Sequence, residues 1–454
     1  MSAAVGAREL IDLDKVVARA EDLGADEVEV VLADVRSTEV VGVKNRIDRV
    51  THTSLARVGF RVAIGKRVAC YGSEVSGSRD VLAALEAAIK VARAMSEDKF
   101  WSGLPTELGS GGRVPVYDDR IAKLGVDEAV GTVYGGLTAL SSTNPQIEPV
   151  SVELITSEAN YVVANSYGGL VERFSTLATC FIQAKSRDGG REGVYSEYAV
   201  SRSLEGLRLN ELISKVRERV VDALRAKPIE TKRMDVIFEP KVVAGIVMAA
   251  FLPAITADNV QAGRSPLKGR IGQQVFSDGV TFTDDPFRPW LYGSRPFDDE
   301  GVSTRCKEVF SKGVLKTYLY DHYTARKDGV ESTGNAWRSS PAAKPRPWAT
   351  NLVIREGSAS LDDLLSNCRE CLLVCRTIGH WLSNPVSGHV TATVTHGYLV
   401  RKGEVESVVK GVGISSNIYE MLGRNLLAIG RGSESYLNIV APPVMVRDVT
   451  VAGK

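Results

Sequence analysis

The sequence predicts an α+β protein with two domains, and three observations lead to this prediction. The first half of the chain mixes stretches of helical spacing with stretches of strand alternation, whereas the second half is mostly alternating. A break in the pattern at residues 226–230, Ala-Lys-Pro-Ile-Glu, separates the two halves. The length of 454 residues exceeds that of one ordinary core. We therefore predict a mixed α+β domain over residues 1–227 and a β-rich domain over residues 228–454.

The N-terminal domain is predicted to be a meander of strands with helices. Residues 13–23 have helical spacing, with Val16, Ala20 and Leu23 on one face. Residues 165–168, Asn-Ser-Tyr-Gly, are typical of a hairpin turn. Residues 97–119, rich in Gly, Pro and Ser, predict a loop. The predicted helices are 13–23, 81–95, 126–140 and 207–226, and the predicted strands are 27–32, 38–43, 56–63, 68–71, 150–155, 160–164 and 170–184.

The C-terminal domain is predicted from alternating segments with a few helices between them. A short buried strand over residues 234–238 ends at Pro240, and an apolar helix over 242–252 follows it. No internal repeat of about 20 to 50 residues is present, so a solenoid is not supported. The other predicted strands are 275–281, 302–310, 314–320, 348–354, 372–375, 392–400 and 405–412, and the other predicted helices are 360–367 and 418–427.

Charge and hydropathy argue against two classes of partner. The chain has 56 basic and 55 acidic residues and a formal net charge of +1, so we expect no nucleic-acid ligand. The N-terminal residues are charged throughout, which argues against a signal peptide. The longest apolar run, residues 242–257, contains a proline and is shorter than the roughly 20 residues that a membrane span needs. We therefore predict a cytoplasmic protein without a membrane anchor.

The segment from Thr317 to Arg338 concentrates the most unusual chemistry in the chain. Small hydroxyl residues, a glycine and an asparagine follow a predicted helical turn at residues 321–327. Such residues allow a backbone to approach a ligand, or another backbone, closely. One interpretation is a cleft for substrate or partner, and the alternative is a tight structural connection that satisfies buried carbonyls. The predicted cleft residues are Tyr323, Arg326, Ser332, Thr333, Gly334 and Asn335.

Several segments resemble the TldD/PmbA family, on its PmbA (TldE) side. Residues 323–327 and 332–336, Tyr-Thr-Ala-Arg-Lys and Ser-Thr-Gly-Asn-Ala, resemble the family's SARK…STGNA stretch. Residues 296–302, Pro-Phe-Asp-Asp-Glu-Gly-Val, are similar to its PFDSEGV segment, and residues 384–388 are similar to its NPVTGD segment. The resemblance spans nearly the whole chain. It implies a protein that pairs with a zinc-binding TldD-like subunit to form a metalloprotease that trims peptides.

The resemblance also locates a zinc site that this chain lacks. In the zinc subunits the strand and proline before the first helix of this half lead into HExxxH, which supplies two histidine ligands and a glutamate base. Aligned on Pro240, the three positions are occupied by Met248, Ala249 and Pro253. None of the five histidines is followed by glutamate, and residues 437–442 hold no cysteine to match the family's further ligand. We therefore expect no metal and no cofactor.

Three of the six cysteines, Cys368, Cys371 and Cys375, lie close together in the sequence with His380 nearby. This spacing could ligate a metal or an iron–sulfur cluster. However, residues 371–375 predict a buried strand, on which Cys371 and Cys375 would lie about 13 Å apart along one face. We therefore interpret the cysteines as structural, and we expect no disulfide framework in a cytosolic chain of this size.

These observations favour a metal-free PmbA/TldE-like subunit of a zinc metalloprotease complex that acts in peptide processing and proteolysis. Two alternatives stay open. The chain could be a homodimeric peptide-binding protein without hydrolytic activity, or an enzyme that uses a different site, around the cysteines or around Tyr323 and Arg326. The expected partners are a TldD-like subunit or a second copy of the chain, and a peptide. At least a dimer is expected, also because a β-rich half should leave strand edges that need cover.

Overall fold

The computed structural model describes residues 11–109, 111–142 and 144–453, so the first ten residues of the predicted N-terminal domain lie outside the described part. The predicted α+β class is confirmed, with a mixed first half and a β-rich second half. Within the described ranges no helix is both long and apolar enough to cross a membrane. The domain boundary at residues 227 and 228 stays a prediction.

The first half forms one sheet of six antiparallel strands with helices along it. Its strands are β1 (Glu27–Val43), β2 (Arg46–Ile64), β3 (Arg67–Glu74), β4 (Ile147–Asn165), β5 (Leu170–Asp188) and β6 (Arg191–Ser201), and its helices are α1 (Leu13–Asp22), α2 (Ser78–Ala94), α3 (Asp119–Ala122), α4 (Val126–Ser141) and α5 (Leu209–Asp222). The order across the sheet is β3-β2-β1-β4-β5-β6. β6 is missing from the predicted strands because both of its faces are buried around Ser196 and Glu197, and these polar residues interrupt the apolar alternation.

The two faces of this sheet have different neighbours because successive side chains of a strand point to opposite sides. On one face, Val30 of β1 packs with α1 and α2, and Val40 of the same strand packs with α4 and α5. On the other face, Val31 and Val163 pack against Phe297 of the second half. The long strands therefore carry two helix-covered cores on one side and the contact with the second half on the other.

The second half consists of fifteen short strands and five helices in the described residues. The strands are β7 (Lys232–Phe238), β8 (Phe282–Asp284), β9 (Lys307–Ser311), β10 (Val314–Leu315), β11 (Ala336–Trp337), β12 (Arg346–Pro347), β13 (Leu352–Ile354), β14 (Glu370–Ile378), β15 (His389–Arg401), β16 (Glu404–Val409), β17 (Val412–Asn417), β18 (Leu426–Ile429), β19 (Glu434–Tyr436), β20 (Ile439–Ala441) and β21 (Val444–Ala452). The helices are α6 (Pro240–Ala250), α7 (Ala257–Gln261), α8 (His322–Asp328), α9 (Leu361–Ser366) and α10 (Ile418–Met421).

Two sheets of the second half enclose the apolar helix α6. One sheet has the order β10-β9-β8-β13-β20-β19. In the other, β14, β7, β21, β17 and β15 pair in turn and β15 pairs with β14 again, so the five strands close on themselves. Helix α6 contacts β14 and β15 of the closed sheet and β19 and β20 of the other. Its buried residues belong to the largest apolar core of the chain.

Several predicted elements of this half are wrong or too long. Residues 275–281 form a loop, since Val275 and Phe276 both donate their backbone N–H to the Gly313 carbonyl, and the strand begins only at Phe282. The strand predicted over 314–320 ends at Leu315. The helix predicted over 418–427 ends at Met421, and its last residues instead form β18, which pairs with β21.

A disulfide joins Cys368, just after α9, to Cys371, the second residue of β14. We expected no disulfide framework, and the structure has this one local disulfide, between cysteines that two residues separate and whose Cα atoms lie 6.2 Å apart. Cys375 is a free, buried thiol further along β14. All three sulfur-bearing side chains lie in one small apolar cluster with Leu364 and Met445, in agreement with a structural role.

Candidate functional site

Asn335 lies in the interior of the second half. Its side chain is fully buried. The amide nitrogen donates to Asp284 Oδ2 at 2.8 Å and to the Trp348 carbonyl at 2.9 Å, while the amide oxygen accepts from Lys307 Nζ at 2.9 Å. These bonds satisfy the asparagine within its own chain. The expectation that Asn335 lines a cleft is therefore corrected, and the alternative of a structural connection describes this residue.

The three residues before Asn335 close a tight turn. Thr333 Oγ1 accepts a hydrogen bond from the Tyr320 backbone N–H at 2.7 Å, and Ser332 Oγ accepts from Gly334 N at 3.2 Å. Gly334 has a φ of +69°, and a Cβ at this position would lie 2.5 Å from the Ser303 carbonyl oxygen. Only glycine fits such a place. The close approach that the sequence predicts is thus made to the chain's own backbone.

Tyr323 and Arg326 of α8 are the predicted cleft residues that reach open space. Tyr323 lines a cavity of about 670 Å³ between β3, residues 95–101 and residues 344–345. Its hydroxyl donates to Asp98 Oδ2 at 2.8 Å, and Lys344 Nζ lies 4.7 Å from its ring centroid. Arg326 is exposed, does not line this cavity, and has no ion pair among the described residues. The six predicted residues therefore do not form one pocket.

The acidic segment that follows Phe297 joins the family-like motifs to each other. Asp298 Oδ1 accepts from the backbone N–H groups of Glu300 and Val302, and its Oδ2 accepts from Ala336 N at 2.9 Å. These bonds hold Val302 in a turn, so the strand predicted over 302–310 begins only at Lys307. The next residue, Asp299, accepts from Arg338 N at 2.9 Å. The two segments that resemble the family are thus bonded side by side.

A chain of buried charges continues from this segment into the sheet of the first half. Arg61 of β2 donates to Glu300 Oε1 at 2.6 Å and to Glu29 Oε2 at 2.7 Å. Arg338 donates to the other oxygen of Glu29. All four side chains are nearly or fully buried. Charges taken out of water are tolerated only when they are paired in this manner, so the network fixes how the two halves meet.

Asp299 has two further arginine partners. Arg173 of β5 donates to Asp299 Oδ1 at 2.9 Å and to the Phe297 carbonyl at 2.9 Å, and Arg295 donates to the same Oδ1 at 3.2 Å. Burial alone would raise the pKa of Asp299, but the two guanidinium groups hold it below its ordinary value. The sequence shows this acidic segment clearly, yet its partners on β1, β2 and β5 are distant in the chain.

Helix α6 carries the positions that correspond to the family's zinc motif. Most of its residues are buried, but Met248 and Ala249 are half-buried, as is Pro253 just beyond its end. The three positions at which the resemblance places the zinc motif are therefore partly accessible to solvent. A thioether, a methyl group and a proline ring supply no zinc ligand of that kind and no general base. These residues do not fit zinc.

The histidines and cysteines elsewhere do not replace the missing ligands. His389 is exposed, whereas His396 on the same strand is fully buried and contacts Tyr398 Oη at 3.0 Å. The two histidines lie an odd number of residues apart, so their side chains point to opposite faces of the strand. Residues 439–441 form the buried strand β20 beside α6. Across the described ranges, no group of three or more His, Cys, Asp or Glu side chains has the arrangement of a metal site.

Comparison with known proteins agrees with this geometry. A family model for the PmbA/TldA metallopeptidase C-terminal domain matches residues 231–453. A metalloprotease of Archaeoglobus fulgidus is 36% identical over 222 residues, which is 49% of this chain and 50% of that protein. The chain thus spans about half the length of the first curated relatives it matches.

Two solved structures are similar over nearly the whole chain. TldE from Thermococcus kodakarensis has a TM-score of 0.90 and 25% identity, and the match covers 97% of this chain and 100% of that one. A Thermotoga maritima protein named as a candidate modulator of a DNA gyrase has a TM-score of 0.84 and 26% identity, with 97% and 99% covered. The chain is therefore similar to the PmbA/TldD family, in sequence over residues 231–453 and in fold over nearly its whole length.

Proposed function

We propose that this chain is a metal-free subunit that works with a zinc-bearing TldD-like chain in processing peptides. The observation that carries the proposal is the partly exposed set of Met248, Ala249 and Pro253, which stands where the resemblance places two ligands and a base. The chain shares the fold of a family whose members are named metalloproteases. A chain that keeps the fold without the ligands is suited to binding and positioning.

A peptide would bind through backbone contacts at the sheet of the first half. β3 is an edge strand of that sheet, and its residues 68–70 line the cavity that also contains Tyr323. An extended peptide can add to such an edge by main-chain hydrogen bonds. Tyr323 and Arg326 remain the residues we propose to contact peptide or partner, whereas Ser332, Thr333, Gly334 and Asn335 support them.

An exposed apolar surface offers a place for the partner chain. Ile378 is the last residue of β14, and Trp381, Leu382 and Val386 follow it within eight residues; Trp381 and Leu382 are 64% and 71% exposed. Several large apolar side chains exposed within one short segment are typical of an interaction site. We call these four residues the apolar patch. It favours a stable partner, either the TldD-like chain or a second copy of this chain.

The purified chain is expected to contain no stoichiometric zinc and to hydrolyse no peptide by itself, because its α6 positions supply neither ligands nor base. Elemental analysis and a peptidase assay with and without a chelator test this. The double substitution Met248→His with Ala249→Glu should not restore activity, since Pro253 and the cysteine position still lack ligands. One zinc per chain, with activity lost on chelation, would instead support an enzyme with a different site.

Co-purification with a zinc-bearing TldD-like chain tests the partnership. We expect Leu382→Asp to reduce complex formation by at least about tenfold, since burying a carboxylate in an apolar interface is unfavourable. Arg326→Ala should weaken it less and leave the melting temperature unchanged. The control is Leu427→Asp, an exposed leucine outside the patch. If Leu382→Asp and Leu427→Asp reduce complex formation equally, the apolar patch is not the partner interface. If the chain associates with itself and no TldD-like partner is found, the homodimeric peptide-binding protein is favoured.

A further inference from the structure

A second cavity lies where α5 and β6 of the first half meet α6 and β14 of the second. Its volume is about 360 Å³, within the range of small-molecule sites. Three cationic side chains line it, Lys215, Lys241 and Arg376, together with one carboxylate, Glu197. Met248, Ala249, Pro253 and the predicted cleft residues lie outside this lining, whereas Leu437, the first residue of the stretch compared with the family's cysteine ligand, is part of it. The cavity is therefore separate from the three positions on which the proposed function rests.

The charges that line the cavity do not balance. Lys241 Nζ donates to Glu197 Oε2 at 2.8 Å and to the Tyr198 carbonyl at 2.8 Å, while Lys215 Nζ lies 3.6 Å from the other oxygen of Glu197. Burial alone would raise the pKa of Glu197, but the two lysines lower it to about 2. Lys215 also lies 3.5 Å from Glu239, and both lysines lie within 3.8 Å of Glu434. Glu197 is thus ionised and paired, both lysines are paired as well, and the unpaired positive charge at the cavity is that of Arg376.

Arg376 supplies the cation without a partner. Among the described residues its guanidinium has no hydrogen bond or ion pair, and the nearest ring contact is Tyr195 at 5.9 Å. The register between β14 and β15 shifts both before and after Arg376, so the arginine lies at a β-bulge. Bulges re-aim side chains and are frequent beside functional sites. The arginine also lowers the pKa of neighbouring His380, after the larger effect of burial, so this imidazole stays neutral.

The rest of the wall is aromatic. The Tyr436 ring meets Tyr198 edge-on at 6.4 Å and His380 edge-on at 6.5 Å. Gly245 of α6 allows His380 to approach the helix, because a Cβ there would lie 3.1 Å from Nε2. The thiol of Cys375 also faces this space, but burial raises its pKa, so it stays protonated and is a poor nucleophile. The cavity has the features of a binding site rather than of a covalent catalyst.

We propose that this cavity binds a small monocarboxylate with an aromatic or branched apolar body, whose carboxylate pairs with Arg376 while its body packs against Tyr198 and Tyr436. A planar guanidinium matches a carboxylate in two hydrogen bonds. The same chemistry occurs in a free organic acid and in the C-terminal residue of a peptide. The test uses the isolated chain and needs no partner. Its outcome therefore does not depend on whether the chain binds a zinc-bearing TldD-like subunit.

The test is calorimetric titration of the purified chain with N-acetyl-L-phenylalanine and with its uncharged amide. We expect saturable binding of the acid and at least about tenfold weaker binding of the amide, as the loss of one charged hydrogen bond implies. Acetyl-Ala-Ala-Phe with a free carboxylate distinguishes the sources. If it binds as tightly as the free acid, the site accepts a peptide C-terminus, and if only the free acid binds, the site takes small acids.

Substitutions distinguish binding in this cavity from nonspecific binding elsewhere on the chain. Arg376→Ala should weaken binding of the acid at least about tenfold and leave the amide unchanged, whereas Arg376→Lys should retain part of the affinity. Tyr436→Ala should weaken both ligands. The control is Arg355→Ala, which removes an exposed arginine paired with Glu308 outside the cavity. Equal affinity for acid and amide, or equal losses in the Arg355 and Arg376 variants with unchanged melting temperatures, would overturn the proposal.

Discussion

Arg61→Ala is expected to lower the free energy of unfolding by about 3 to 5 kcal/mol, because it leaves two buried carboxylates without their shared partner. Arg61 bridges Glu29 of the first half and Glu300 of the second, and all three side chains are 4% exposed or less. Arg338 still pairs with Glu29 in the variant, so most of the destabilisation comes from the unpaired carboxylate of Glu300. The halves should then separate or the chain should unfold at lower denaturant concentration.

Arg57→Ala is a matched control on the same strand and the same face. Arg57 pairs with Glu74 at 3.1 Å, but both side chains are about half exposed or more, so the expected loss is only about 0 to 1 kcal/mol. Chemical denaturation of both variants, with an unchanged slope against denaturant, provides the comparison. Similar losses in the two variants would show that the buried network contributes no more than a surface pair.

The pH dependence of the Arg61 variant gives an independent check. In the native chain burial would raise the pKa of Glu300, but Arg61 and His322 hold it below 4.5. Its contribution to stability is therefore complete above pH 4.5 and is lost as pH falls below that value. Without Arg61 the stranded carboxyl has a raised pKa, so acid neutralises it and stabilises the variant. The gap in stability between the two proteins should thus narrow as pH falls.

The elements that follow local periodicity were predictable from the sequence. The helices α1, α2, α4 and α5 lie where the helical spacing places them, and each of β1 to β5 contains a predicted strand. The predicted strands are too short, however, because β1 and β4 each join two of them and β2 begins at Arg46 rather than at residue 56. Asn165–Gly168 forms the predicted hairpin turn, with Gly168 at a φ of +82°. Elements of the second half are less predictable, because its strands are short and several end where a side chain, rather than a neighbouring strand, bonds the backbone.

The candidate site was only partly predictable because its bonds join residues far apart in the chain. The sequence shows an acidic segment at Asp298–Glu300, but Arg61 and Glu29 lie more than two hundred residues before it. Likewise, the sequence around Asn335 does not indicate that Asp284 and Lys307 hydrogen-bond its side chain. The polar motif alone therefore left a binding role and a structural role open for Asn335, and its burial favours the structural one.

The closed arrangement of β14, β7, β21, β17 and β15 changes the argument for a dimer. A β-rich half was expected to expose strand edges, and edges need cover. These five strands pair in a circle, and β16 and β18 lie at its sides. The dimer remains a prediction. The other sheet of this half still ends at β10 and β19, but the closed strands leave fewer edges to cover, so the apolar patch of residues 378–386 is the stronger support.

Gly59→Ala is expected to destabilise the chain by about 1 to 3 kcal/mol or more, although it adds a single methyl group. Gly59 of β2 pairs with Gly72 of β3, and the segment at Pro341–Ala342 of the second half lies directly on these two glycines. A Cβ at Gly59 would lie 1.9 Å from the Pro341 carbonyl oxygen, and backbone atoms cannot yield as a flexible side chain does. The glycine therefore serves close packing between the halves.

Gly135→Ala is the matched control for this substitution. Gly135 lies inside α4, and a Cβ there would meet nothing within 4 Å. The same added methyl should then stabilise the chain by about 0.4 to 1 kcal/mol, because alanine has less backbone freedom to lose on folding. Thermal and chemical denaturation of the two variants should thus give shifts of opposite sign. A neutral or stabilising Gly59→Ala would show that the segment at 341–342 moves away from the sheet at little cost.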